Sequence, residues 1–154
     1  MLTVAQQGTD CPCCGRYIQI YKRAITPAMA KVLGLLEHAA RTSDAYHHLQ
    51  TLIASTEQIS AHEKTKLRGD FGKLRFWLLI SGPPEGHLGK PKAKWKGYWR
   101  ITELGRDFVA AKIRIPKYKY LLKNSELDVE VLETVSFEEA LRGRRPKAPT
   151  GEAA

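Results

Sequence analysis

The chain has 154 residues, 43% hydrophobic and 27% charged, the make-up of one globular domain and not of a fibrous or wholly disordered chain. Its formal net charge of +9 is local: residues 62–123 hold 16 Lys/Arg against 5 Asp/Glu, whereas residues 124–142 hold 1 against 6. A confined basic block interleaved with aromatics points to a polyanion partner, nucleic acid above all, over a generally solvated surface.

In chain order, residues 1–10 are polar. "CPCCG" (11–15) is a tight knuckle in which Cys11 and Cys14 have the CxxC spacing of half a zinc ribbon. Three cysteines in one knuckle do not make a disulfide framework. A structural zinc needs four ligands and no second CxxC exists, so the remainder stays open: Cys13, a histidine, the same pair from a second chain, or no metal at all. "YIQIYKRAI" alternates as a short strand. Thr26 and Pro27 then open a helix whose buried face is Met29, Val32, Leu33, Leu36 and Ala40, ending near Arg41. "YHHLQTLIAS" begins as a strand and continues as a short helix.

Ser60 and Glu63 have capping-box spacing, and a helix is expected over about 61–77. Its core stripe is Leu67, Phe71, Leu74 and Leu78. The opposite face carries His62, Thr65, Lys66, Gly69, Gly72, Lys73 and Phe76, with Arg68 and Arg75 on a flank. The glycines read either as a break at Gly69 or as a side-chain-free surface for a partner. "SGPPEGHLGKP" is a turn. A strand follows, with Trp95, Gly97, Trp99 and Ile101 on an apolar side and Lys94, Lys96, Tyr98 and Arg100 on a cationic side; both tryptophans are expected in the core.

Thr102 opens the helix "TELGRDFVAAK", stopped by Pro116. "KYKYLLKNSELDVEVLETV" is two extended stretches about Asn124-Ser125, and Ser136 with Glu139 caps a short helix. The tail 143–154 reads as disordered. The longest strongly apolar run, Phe76 to Ile80, cannot span a bilayer, and "MLTVAQQGTD" lacks the apolar stretch of a signal peptide. A cytoplasmic protein with no membrane partner is expected.

"DFGKLRFWLLI", a Gly/Pro-rich turn and "GYWRITELGRDFV", in that order, resemble the compact winged helix-turn-helix proteins of bacteria and their phages, over about residues 26–112. The resemblance implies an α+β fold: a three-helix core plus β-hairpin wing at 26–116, after an N-terminal knuckle and strand (1–25) and before a small C-terminal β/α extension (117–142). It implies a transcriptional regulator that lays the 61–77 helix in the major groove of double-stranded DNA and its wing on the backbone.

The candidate contacts are Thr65, Lys66, Arg68, Lys73 and Arg75 on the helix, and Lys90, Lys92, Lys94, Lys96, Tyr98 and Arg100 on the wing. Lysines on a tip neutralise phosphate without reading sequence, and arginine can donate to guanine. Lys112, Arg114, Lys117 and Lys119 either extend this patch or form a solvated face. His62-Glu63 lacks the second histidine of a zincin helix, and no P-loop, GxGxxG, GxSxG or deaminase signature occurs, so no enzyme is expected. The rival reading is a protein-interaction adaptor using the knuckle and the acidic 124–142 segment. The apolar residues of 117–142 either form a homodimer surface or fold back on their own domain.

Overall fold

A computed structural model of the chain describes residues 8–43, 45–67, 70–122, 125–127 and 130–143, with the side chains of Lys66, Asp70 and Ser125 outside the description. Arg68, the break proposed at Gly69, Asn124 of the proposed turn and residues 144–154 of the tail lie outside the described residues. The architecture is α+β, with small antiparallel sheets and short helices around one buried cluster.

Strands β1 (Thr9–Asp10) and β2 (Tyr17–Ile18) make a hairpin with the cysteine knuckle at its tip. Strand β3 (Tyr21–Ala24) leads into α1 (Pro27–Thr42). Thr26 accepts a hydrogen bond from the Met29 amide and Pro27 follows the cap, so the helix starts where local chemistry puts it. Its buried face is Met29, Ala30, Val32, Leu33 and Leu36. Then come β4 (His47–His48), α2 (Leu49–Ser55) and α3 (Ala61–Lys66), the last capped by Ser60 Oγ on the Glu63 amide at 3.1 Å.

The expected helix over 61–77 is not continuous. After α3, residues Asp70–Trp77 form a 3₁₀ helix. A 3₁₀ helix repeats every three residues, so Phe71, Leu74 and Trp77 fall in one row, and all three are buried. The Trp77 indole N–H donates to the Pro116 carbonyl at 2.8 Å, a bond that an α-helical Leu78 stripe would not make. Leu78 therefore leaves the core: it is 67% exposed and turns the chain with φ +59°, its carbonyl accepting from Thr102 Oγ1. Phe76, placed on the outer face by the α-helical wheel, is buried.

Strand β5 (Ile80–Ser81) pairs with β6 (Tyr98–Ile101), which also pairs with β4, giving a three-stranded sheet in the order β4–β6–β5. The strand expected from Lys94 is shorter than its alternation suggested. Residues His87–Gly89 and Lys92–Trp95 are 3₁₀ turns, so Lys90, Lys92, Lys94 and Lys96 sit on a folded loop and not on a strand face. Gly97 lies outside the strand: its φ is +83°, its carbonyl accepts from the Leu49 amide at 3.0 Å, and a Cβ there would press on the His48 ring at 3.1 Å.

Helix α4 (Glu103–Val109) starts from a Thr102 cap and packs closely on the sheet. Gly105 is what allows it, since a Cβ there would strike the Leu79 carbonyl oxygen and come 2.7 Å from Ile101 Cγ1. Strand β7 (Ile115–Pro116) pairs with β10 (Thr134–Val135), while β8 (Tyr118–Leu122) pairs with both β3 and β9 (Ser125–Glu126). The last helix, α5 (Phe137–Arg142), capped by Ser136, lies on α1. Leu121, Val135 and Ala140 are buried in the same cluster as α1, and Phe137 meets Phe108 edge-on at 5.6 Å between ring centroids. The described part of the extension thus folds back on its own domain. No helix among the described residues is long and apolar enough to cross a membrane.

Candidate nucleic-acid interface

Alternation along β6 sends Trp99 and Ile101 inward and Tyr98 and Arg100 outward. Trp99 packs on the core, its ring 3.5 Å from where a Gly72 Cβ would stand, an ordinary contact distance, so the 3₁₀ helix lies directly against the sheet. Trp95 is a correction. It is not in the core but half-exposed on the loop, its indole N–H donating to the His87 carbonyl at 3.1 Å.

That bond closes a row of rings on the outer side of the sheet. Centroid distances are 5.1 Å for Tyr46–His87, 4.9 Å for His87–Trp95, 5.2 Å for Trp95–Tyr98 and 5.1 Å for Tyr98–His48. Cations lie over one end and the middle: Arg100 is 5.2 Å from the Tyr46 centroid and Lys90 is 5.7 Å from that of Trp95. Tyr98, Arg100 and Lys90 are therefore brought together. Lys92, Lys94 and Lys96 are exposed on the same loop and meet no described carboxylate. Tyr46, His48 and His87 belong to this surface and were not legible in the sequence, because nothing local ties residues 46–48 to 87–98.

The helical candidates are less concentrated. Thr65 is exposed on α3, its hydroxyl donating to the Ala61 carbonyl. Lys66 has its side chain, and Arg68 all of its atoms, outside the described residues. Lys73 is half-buried and engaged within the fold. Arg75 is exposed, with its guanidinium 4.7 Å from the Phe76 centroid and a long 3.5 Å hydrogen bond to the Gly72 carbonyl. No described contact joins Thr65 or Arg75 to the loop.

Of the four cations that the sequence left either as an extension of the patch or as a solvated face, Lys112 is exposed and the other three are spoken for. Arg114 pairs with Glu139 at 2.6 Å, Lys117 with Glu133 at 3.6 Å and Lys119 with Glu126 at 2.6 Å. The acidic segment thus neutralises basic residues near it, while Lys92, Lys94 and Lys96 on the loop have no described carboxylate partner. A concavity of about 870 Å³ lies between β3, the start of α1 and α5. None of the expected DNA contacts lines it.

Helix α3 is held by its own charges. Lys64 Nζ donates to the Ala54 and Thr56 carbonyls at the end of α2, and Lys31 of α1 pairs with Glu63 at 3.0 Å. The Lys31 ammonium, with help from Ser60, holds the Glu63 carboxyl below its ordinary pKa against the opposing effect of desolvation. A carboxyl depressed in the folded state stabilises above the unfolded-state pKa, and the gain is lost as pH falls through the folded value. Glu63→Gln is therefore expected to lower the urea midpoint near neutral pH and to lose that deficit at an acid pH where the carboxyl is protonated in the folded chain. A deficit equal at both pH values would assign it to packing instead.

At the knuckle, Gly15 with φ +71° turns the chain, its amide donating to the Cys11 carbonyl at 2.8 Å, while the Cys11 amide donates to Arg16 O at 2.7 Å. The backbone N–H groups of Cys14 and then Cys13 face the Cys11 sulfur and hold its thiol below the ordinary value. Cys13 and Cys14 are exposed. Among the described residues no three His, Cys, Asp or Glu side chains come together as a metal-holding group. Compared with protein-family models, with curated proteins and with solved structures, the chain shows no significant match.

Proposed function

We propose that residues 26–116 are a winged helix-turn-helix that binds double-stranded DNA and acts as a transcriptional regulator. The observation that carries this reading is the loop between β5 and β6. It projects from a sheet ordered β4–β6–β5, follows α1, α2 and α3 in that order, and holds Lys92, Lys94 and Lys96 clear of every described carboxylate. Lysines so placed meet phosphate oxygens, while the ring row beneath them stiffens the base of the loop. Of the helical residues expected to contact DNA, Thr65 and Arg75 are described with exposed side chains. Because α3 has six residues, about 9 Å of α-helix, the wing bears a large share of the contact.

The adaptor reading has less support. It needs a free acidic surface at 124–142, and Glu126, Glu133 and Glu139 are engaged with cations of the same chain.

The test is selection of bound duplexes from a random library by the full chain, followed by affinities at several salt concentrations. The reading expects log affinity to fall linearly and steeply with log salt. Binding that is absent at low salt, or indifferent to salt, would overturn it.

A further inference from the structure

We propose that the cysteine knuckle is one half of a four-thiolate zinc site, completed by Cys11 and Cys14 of a second copy of this chain. The tip is already shaped for thiolate ligation. The β1–β2 hairpin and Gly15 fix the turn, the Gly15 amide donates to the Cys11 carbonyl and the Cys11 amide to the Arg16 carbonyl, and Cys11 and Cys14 have the CxxC spacing.

The CxxC pair by itself leaves a zinc site half-filled. Every cysteine and histidine of the sequence lies among the described residues: Cys11, Cys13 and Cys14, and His38, His47, His48, His62 and His87. Cys11 and Cys14 are the pair in CxxC register, two thiolates per chain, and among the described residues no three His, Cys, Asp or Glu form a metal-holding group. Structural zinc takes four ligands in a tetrahedron. A twofold axis through the metal supplies the other two in the same geometry, with the same patch on each copy.

The tip is open to such a partner, since Pro12, Cys13, Cys14, Gly15 and Arg16 are all exposed. The charges also suit it. Two chains release four thiol protons to solvent on binding one Zn²⁺, leaving a net −2 at the metal, and an exposed Arg16 follows each knuckle.

The experiment uses the full chain purified without chelator, with zinc measured by elemental analysis and mass by light scattering. It needs no DNA, so its outcome is independent of the proposed function. The expected result is one zinc per two chains in a dimer that a chelator converts to monomer, and Co²⁺ in its place should give the visible bands of a tetrahedral thiolate site. Cys11→Ser and Cys14→Ser should each abolish metal and dimer while keeping the helical circular dichroism of the full chain, because the hairpin tip is outside the buried core. Cys13→Ser should keep both. One zinc per monomeric chain, a dimer that survives chelation, a chain without zinc, or a Cys13→Ser variant that behaves like the other two would each overturn the proposal.

Discussion

Replacing Lys90, Lys92, Lys94 and Lys96 together by glutamine is expected to weaken duplex binding by roughly two to three orders of magnitude at about 0.1 M salt. Each lysine that neutralises a phosphate releases close to one condensed counterion, about 0.9 on B-DNA, so four lysines contribute about 3.6 to the slope of log affinity against log salt. The loss should be the same for unrelated duplex sequences, since an ammonium on a flexible stem makes no planar fork for a base edge. Folding should be unaffected. Lys92, Lys94 and Lys96 face no described carboxylate, and Lys90 gives up only its place over the Trp95 ring. The control is Lys117→Gln with Lys119→Gln: these two already face Glu133 and Glu126, so their removal should change the slope far less. Fluorescence anisotropy over a salt series, on two duplexes of different sequence, reads both quantities. An unchanged slope, or a loss confined to one sequence, would remove the loop from the phosphate backbone.

Ending the chain at Lys117 is expected to abolish the native fold. Strand β8 is the partner of β3 across Tyr21 to Ala24, and its loss leaves that edge bare. Leu121 and Val135 are buried in the common core, and Phe137 covers Phe108, which is itself fully enclosed. Full burial of a side chain of this size contributes about 1.5–3 kcal/mol, so losing Leu121 and Val135 costs roughly 3–6 kcal/mol before the half-buried Phe137 is counted. The whole stability of a domain is commonly about 5–15 kcal/mol, and little would remain. Arg114 would also lose Glu139 and Thr134. Circular dichroism and a thermal melt of the shortened chain decide the matter. A cooperative transition with the helix content of the full chain would show the extension to be an appendage, and would return its apolar residues to the role of a dimer surface.

The sequence by itself determined what lies within four residues of chain. Thr26, Ser60, Thr102 and Ser136 each cap the helix they precede, because a cap joins a side-chain oxygen to an amide three residues on. The knuckle is legible for the same reason, as is the start of α1 at Pro27. Elsewhere the tertiary structure decided. Leu67, Phe71, Leu74 and Leu78 fit an α-helix as written, but Trp77 reaches the Pro116 carbonyl, 39 residues away, and the segment takes the period of three that buries it. The alternation from Lys94 onward looked like a strand. A strand needs a neighbour, and β5 and β4 pair with β6 only from Tyr98 onward, so the lysines fold into turns. The ring row from Tyr46 to Tyr98 and the ion pairs of Arg114, Lys117 and Lys119 join distant or separately folded segments, and neither composition nor periodicity encodes which carboxylate a lysine will meet. Local hydrogen bonds are short-range and leave a signature in sequence, whereas burial, pairing and charge compensation depend on what the rest of the chain brings alongside.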